Sequence, residues 1–77
     1  MSTLFQLRAH ADGKPVPGWR FKFTTATVVC DGPRRTVVGW SLFDPDGVER
    51  FCEGTWKDFV PFANTVLENY GISTRIS

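Results

Sequence analysis

The residues that could perform acid–base or nucleophilic chemistry are few and scattered in this 77-residue chain. The single imidazole, His10, falls on a predicted strand beside Arg8, a position typical of a surface or interface histidine. Nothing in the sequence suggests that Ser41, Cys30 or Cys52 has the neighbouring base that activates a nucleophile. We therefore predict no catalytic residue, no cofactor and no enzymatic activity.

Metal and phosphate sites find no support in the spacing of the polar residues. Asp44 and Asp46 stand in an Asp-Pro-Asp-Gly context, which explains both carboxylates as turn formers. The Asp-Gly-Lys segment at 12–14 lacks the spacing and the following helix of a phosphate-binding loop. Cys30 and Cys52 are too isolated for a zinc site, so we expect two free thiols, with a single disulfide between them as the alternative.

Charge is unevenly distributed along the chain. Residues 1–35 carry six Lys/Arg against two Asp, whereas residues 36–77 carry three Lys/Arg against six Asp/Glu. The formal net charge is only +1 and the sequence pI is about 7.8. A charge gradient across one small domain predicts a face that a partner could read.

The cations of the first half form a set that we call the basic comb. If the first two strands pair, four of its members project from one face, with two arginines at a nearby turn. Segment 19–23 interleaves cations and rings, as nucleic-acid-binding strands often do. The alternative is a solvated polar face over an aromatic core, which the near-neutral pI supports. The comb comprises Arg8, His10, Arg20, Lys22, Arg34 and Arg35.

A second candidate surface combines rings with carboxylates. Phe43 and Phe51 are expected on one face of the second hairpin, with Glu49 and Glu53 beside them. Aromatic side chains rimmed by charge are typical of a protein-binding patch. The alternatives are that the C-terminal segment or a second subunit covers the two rings.

Two short stretches resemble known families. Segment 47–67 resembles the strand-then-helix end of the positive cofactor 4 family of single-stranded-DNA-binding proteins, where a glycine turn, a short strand and a Trp-bearing helix follow in this order. That family's lysine-rich strand motifs have no counterpart in this chain. Segment 44–47, followed by Trp56 and Phe59, is similar to a small actinobacterial domain of unknown function found beside helix-turn-helix regulators. Its Lys-Ser-Ser-Tyr-Ser segment is missing, and we carry over no functional residue from either family.

The elements that would position these residues follow from the hydrophobic periodicity. Alternation of period two predicts strands over about 3–11, 19–29, 36–43 and 48–53, with residues 12–18 as a loop. Asp44-Pro45-Asp46-Gly47 predicts a tight hairpin turn in which Leu42 faces Arg50 and Trp40 faces Cys52.

A change to helical spacing predicts one helix over about 56–70. A capping box at Thr55 and Asp58 would start it, and Gly71 would end it. Pro61 should kink the first turns, or the helix begins near that residue. The last six residues are expected to form a short edge strand or to fray.

Together these elements predict a single α+β domain over residues 1–77. Its architecture is an antiparallel four-stranded meander, with one C-terminal helix packed on one face. The packing side chains are expected to be Phe59, Ala63, Val66 and Tyr70. A sheet with aromatics on both faces cannot easily be covered by one helix.

The leading hypothesis is a small non-enzymatic protein-binding module, a regulator or inhibitor that docks on a larger protein assembly. Phage-type and anti-CRISPR-like inhibitors have this size, an analogy of type only. The rival hypothesis is a single-stranded nucleic-acid-binding module that uses the basic comb. Homodimerisation through the uncovered sheet face or an edge strand is a third. With no apolar run of about 20 residues and no visible secretory signal, we expect a cytoplasmic protein without a membrane partner.

Overall fold

The architecture is a four-stranded antiparallel sheet with one C-terminal helix on one face, which confirms the predicted α+β fold. The computed structural model describes residues 4–29 and 31–77. The strands follow one another across the sheet in chain order. The elements are β1 (Phe5–Arg8), β2 (Pro15–Val28), β3 (Arg35–Phe43), β4 (Glu49–Glu53) and α1 (Trp56–Asn69).

The first hairpin differs from the prediction. Strand β1 ends at Arg8, and β2 begins at Pro15, inside the segment expected to be a loop. The register shifts from Gln6 opposite Arg20 to Arg8 opposite Pro15, so β2 bulges in between. The two prolines of this stretch lack the N–H that a regular ladder needs, and a bulge accommodates them.

The second hairpin has the predicted register. The backbone N–H of Asp44 donates to the carbonyl of Val48 at 3.2 Å, and the Gly47 N–H donates to Asp44 at 2.9 Å. Gly47 has a φ of +83°, the left-handed conformation that the turn demands. Trp40 lies opposite Cys52, as expected.

Both predicted helix ends are confirmed. The Asp58 carboxylate accepts the backbone N–H of Thr55 at 2.9 Å, and the N–H groups of Gly71 and Ile72 bond back to Glu68 and Leu67. The prediction that the helix begins near Pro61 is wrong. The helix starts at Trp56 and continues through that proline.

The core lies between α1 and one face of the sheet. Phe59, Ala63 and Val66 are buried as predicted, whereas Tyr70 is 44% exposed and touches Trp19 edge-on. Leu67 is buried as well, with no exposed surface. Their sheet-side partners are Leu7, Val16, Trp19 and Leu42.

Strand β2 is much longer than the helix that covers it. Its regularly paired stretch from Arg20 to Val28 alone spans about 30 Å, whereas the 14 residues of α1 span about 21 Å. Pairing with β4 ends where Gly39 lies opposite Glu53. The rest of the β2–β3 hairpin, residues 24–29 and 31–38, therefore projects as a two-stranded ribbon that we call the arm. The molecule is accordingly elongated, measuring 44 × 26 × 21 Å.

The C-terminal segment neither forms a strand nor frays, contrary to the prediction. Ile76 is buried, and both its N–H and its carbonyl bond to the side chain of Asn64. The indole N–H of Trp56 donates to the carbonyl of Ser77, and the His10 N–H donates to that of Arg75. Side-chain amide and indole bonds thus replace a strand ladder.

Gly39→Ala should destabilise the protein by about 1–3 kcal/mol, because a Cβ there would overlap the Cys52 carbonyl oxygen and lie 2.8 Å from the Cα of Glu53. Urea denaturation measures the free energy of unfolding. The neighbouring Val38→Ala, at a half-exposed position, is the control and should cost less than about 1 kcal/mol. Equal stability of Gly39→Ala and the parent chain would contradict this close packing of β3 on β4.

Candidate protein-interaction surface

The sheet face turned away from α1 carries charged and aromatic side chains, and we call it the open face. Strand registers place Arg20 beside Phe43 and Phe43 beside Glu49, and place Lys22, Ser41 and Phe51 in the next row. Adjacent strands are about 4.8 Å apart, so the cations of β2 lie about 10 Å from the carboxylates of β4. Its principal members are Arg20, Lys22, Phe43, Glu49, Phe51 and Glu53.

The two predicted rings are accessible on this face. Phe51 is 36% exposed and Phe43 is half-buried. The ammonium of Lys22 lies 5.6 Å from the centroid of the Phe43 ring, within range of a cation–π interaction. The face therefore presents a cation, two rings and carboxylates in sequence from β2 to β4.

A polar network beneath the rings orients one of the carboxylates. The hydroxyl of Ser41, which is fully buried, donates to Glu49 Oε2 at 2.5 Å. It lies 2.7 Å from the hydroxyl of Thr24, which is left as the donor of that bond. From the sequence alone, Ser41 was considered only as a possible nucleophile, and no neighbouring base supported that role. Its position opposite Phe51 in the predicted register was the signal for its role in this network.

Arg20 and Lys22 lie together on the open face, and Arg8 alternates onto the same side of the sheet, because it lies two residues along β1 from Gln6, the partner of Arg20. The guanidinium of Arg8 donates to the carbonyl of Gly13 at 2.8 Å, and His10 lies in the turn after β1. Arg8 and His10 line an open cleft of about 350 Å³ at the β1 edge, together with Trp56 and Ile76. His10 lies beyond the end of β1 and therefore outside the alternation that Arg8, Arg20 and Lys22 follow.

The two arginines of the second turn lie far from the other cations. Arg35 pairs with Val28, eight residues along β2 from Arg20 and thus about 26 Å away. It makes an exposed ion pair of 3.8 Å with Glu53. Arg34 precedes β3 at the tip of the arm. The expectation that this turn lies near the first hairpin's cations is wrong, because the regular pairing of β2 with β3 from Arg20 to Val28 carries the turn to the far end of the arm.

The C-terminal segment does not cover the two rings. It packs between α1 and the end of β1, on the other side of the sheet. This removes one of the two alternatives for the patch of Phe43 and Phe51.

Several exposed apolar side chains were missed by the sequence analysis. Phe23, assigned by alternation to the buried face, is 55% exposed, and Phe5 and Val38 are 51% and 50% exposed. All three project from the helix side of the sheet, where the ring of Phe5 packs on Phe21 and that of Phe23 packs on Trp40. The lengths of the elements indicate the exposure of Phe23 and Val38, because a 14-residue helix is too short to cover the full length of the β2–β3 hairpin.

A cluster of charged and polar side chains stabilises the turn at residues 44–47, which connects β3 with β4. Asp44, 3% exposed, accepts hydrogen bonds from the Tyr70 hydroxyl at 2.6 Å and from Arg50 at 3.1 Å. The Tyr70 bond is the main cause that lowers the pKa of Asp44 from 3.8 to about 2; burial opposes it, and the Val48 amide and Arg50 add to it. The same bond raises the pKa of Tyr70.

Cys52 is a free thiol whose pKa is raised, first by burial and then by the charge of Asp58. A thiol with a raised pKa is a poor nucleophile at neutral pH. Cys30 lies outside the described residues. Across 4–29 and 31–77, no group of three or more His, Cys, Asp or Glu side chains could hold a metal ion.

The part of the chain that the structure describes contains no helix with both the length and the apolar character that crossing a membrane requires.

No family model matches the chain, and neither a curated protein nor a solved structure matches it significantly.

Tyr70→Phe should make the protein more sensitive to acid. Because the folded-state pKa of Asp44 lies below 3.8, its stabilisation is fully present above about pH 5 and is lost as pH falls through 3.8 toward 2. Removing the hydroxyl raises that pKa, so the acid-unfolding midpoint moves to higher pH, as circular dichroism can follow. In an Asp44→Asn background the same substitution should no longer shift the midpoint. A shift of equal size there would contradict the role of this pair.

Proposed function

We propose that the protein is a non-enzymatic protein-binding module, a small regulator or inhibitor that docks on a larger protein assembly through the open face. One observation carries the proposal. Phe43 and Phe51 lie on a face that α1 leaves uncovered, with Phe43 between Arg20 and Glu49 and with Phe51 between Glu49 and Glu53 along β4.

The arrangement has the parts of a protein interface. Aromatic side chains supply most of the binding energy at interface centres, where they fill pockets and exclude water. Phe51 and Phe43 take this role at the centre of the face. Arg20 and Glu49 flank them in the row Arg20–Phe43–Glu49, and such flanking charges steer association and fix orientation.

Charge complementarity specifies the partner's chemistry. The partner is a folded protein surface with an apolar centre, acidic groups opposite Arg20 and Lys22, and basic groups opposite Glu49 and Glu53. Because Ser41 and Thr24 tether Glu49, that carboxylate is already oriented before binding.

The carboxylates weigh against nucleic acid as the ligand. Glu49 and Glu53 lie on β4, about 10 Å across the sheet from β2, slightly more than the Debye length of about 8 Å at physiological salt, so screening weakens their field without removing it. Phosphates bound at Arg20 and Lys22 would feel part of their repulsion. Of the comb's other arginines, Arg35 forms its ion pair with Glu53, which leaves Glu49 as the carboxylate without a cation partner among the described residues.

We further propose that docking takes place in the cytoplasm. The free thiol of Cys52 supports this, because reducing compartments keep such thiols reduced.

Partner capture should depend on the open face. Immobilised protein is incubated with extract of its native host, and bound proteins are quantified by mass spectrometry. Arg20→Glu with Lys22→Glu, and separately Phe51→Ala, should lose the specific partner. Its measured dissociation constant should rise at least about tenfold for Phe51→Ala.

The matched control is Lys14→Glu with Lys57→Glu, which changes the net charge equally at exposed positions away from the open face. It should retain the partner. A set of captured proteins that is the same for all three variants would contradict the proposal. Circular dichroism establishes that each variant is folded.

Labelled oligo-dT and oligo-rU should not bind saturably at tens of micromolar protein, measured by fluorescence anisotropy at two salt concentrations. Saturable binding that weakens steeply with salt would instead indicate nucleic-acid recognition. Loss of that binding in Arg20→Glu with Lys22→Glu would assign it to the same face.

A further inference from the structure

The outer edge of β2 in the arm has no partner strand among the described residues. Strand β1 pairs with β2 only up to Phe21, opposite Phe5, and β3 occupies the other edge. An open strand edge presents a row of unpaired backbone N–H and C=O groups. Such an edge is a template for pairing with another strand.

This edge has none of the features by which proteins normally prevent an edge strand from pairing with a strand of another chain. From Phe23 to Val29 the sequence reads Phe-Thr-Thr-Ala-Thr-Val-Val, with no charge and no proline. Pairing with β3 is regular from Arg20 to Val28, with no bulge. Native edges are normally blunted by lysine, proline or a bulge. An edge without these features is suited to pairing with another strand.

We infer that this edge pairs antiparallel with the same edge of a second copy of the chain, with a two-fold axis at Ala26. In this register Ala26 lies opposite its own copy. Thr25 lies opposite Thr27, Thr24 opposite Val28, and Phe23 opposite Val29, each twice.

Self-complementarity selects a second copy as the occupant. In a two-fold interface each residue meets either itself or a partner that meets it in return, so a charge near the axis would repel its copy. Positions 23–29 place only uncharged side chains there. Phe23 and Val29, 55% and 68% exposed in one copy, form aromatic–β-branched pairs across the strands.

The opposite edge of the arm does not have this property. Its unpaired stretch on β3 begins with Arg35, and Gly54 already bonds to Val38 at its other end. Only residues 35–37 are therefore unpaired on this edge, and one of the three is charged, whereas the edge of β2 offers seven uncharged residues. Pairing along the edge of β2 also leaves the described part of β1 in place, because Phe5 lies opposite Phe21, two residues before the first new pair at Phe23.

The dimer would place the two open faces on one side. Antiparallel pairing within a sheet puts the two-fold axis perpendicular to it, so both helices lie on one side and both open faces on the other. Two partner-binding faces side by side give avidity toward a repetitive assembly. The dimer itself uses none of the charges of the open face, so it is tested independently of the proposed function.

A pair of double variants tests the edge and its register together, by analytical ultracentrifugation of the full chain. Thr25→Lys with Thr27→Lys sets like charges opposite each other twice and should raise the dimer dissociation constant at least about tenfold. Thr25→Glu with Thr27→Lys sets opposite charges in the same places and should keep the dimer. Both positions are exposed, and the two variants differ by one residue, so a loss of folding would affect them alike.

The parent chain should sediment with twice its mass of 8.7 kDa at high micromolar concentration. A parent that stays at 8.7 kDa overturns the inference. So does a dimer that both double variants weaken equally or that neither weakens, because the interface would then lie elsewhere. As a control, Arg20→Glu with Lys22→Glu, which should lose the docking partner, should leave the dimer intact.

Discussion

The structure depends on one constraint, which is that a single short helix covers a sheet longer and wider than itself. A helix rises 1.5 Å per residue and a strand about 3.3 Å, so α1 and β2, with 14 residues each, differ about twofold in length. The apolar side chains of the helix cover only one half of one face of the sheet. The open face and the arm are what remains.

The covered half is packed tightly enough to support the rest. Phe59, Leu67 and Leu42 have no exposed surface, and the cluster of Asp44, Tyr70 and Arg50 ties the end of the helix to the second hairpin. A small domain buries only about 60% of the surface that its unfolded chain exposes, so its stability depends on the free energy that this core contributes. Rigidity in one half allows charged and aromatic side chains to stay exposed in the other.

Local chemistry made much of the fold predictable. The Pro-Asp-Gly turn set the register of β3 on β4, and that register alone placed Phe43 and Phe51 on one face. Both helix ends followed from capping residues. The sequence patterns failed where length or irregular backbone decides: at the β2 bulge, in the extent of the arm and at the C-terminal segment.

The candidate site was predictable only in part, for the same reason. Period-two alternation says on which face a residue lies, but not whether anything covers that face. It therefore placed Arg20 and Lys22 together correctly, yet assigned Phe23 to the core. Whether a side chain is buried depends on which element reaches it, and that follows from relative lengths and packing rather than from spacing along one strand.

Residue-resolved amide hydrogen exchange at low micromolar concentration tests the central claim most directly. If the helix supports only one half of the sheet, amides of the arm between Thr24 and Val38 should exchange at least about 100-fold faster than those around Leu42 and in α1, because a two-stranded ribbon alone is marginally stable. Uniform protection along β2 and β3 would contradict the account, since it would mean that the arm needs no further partner.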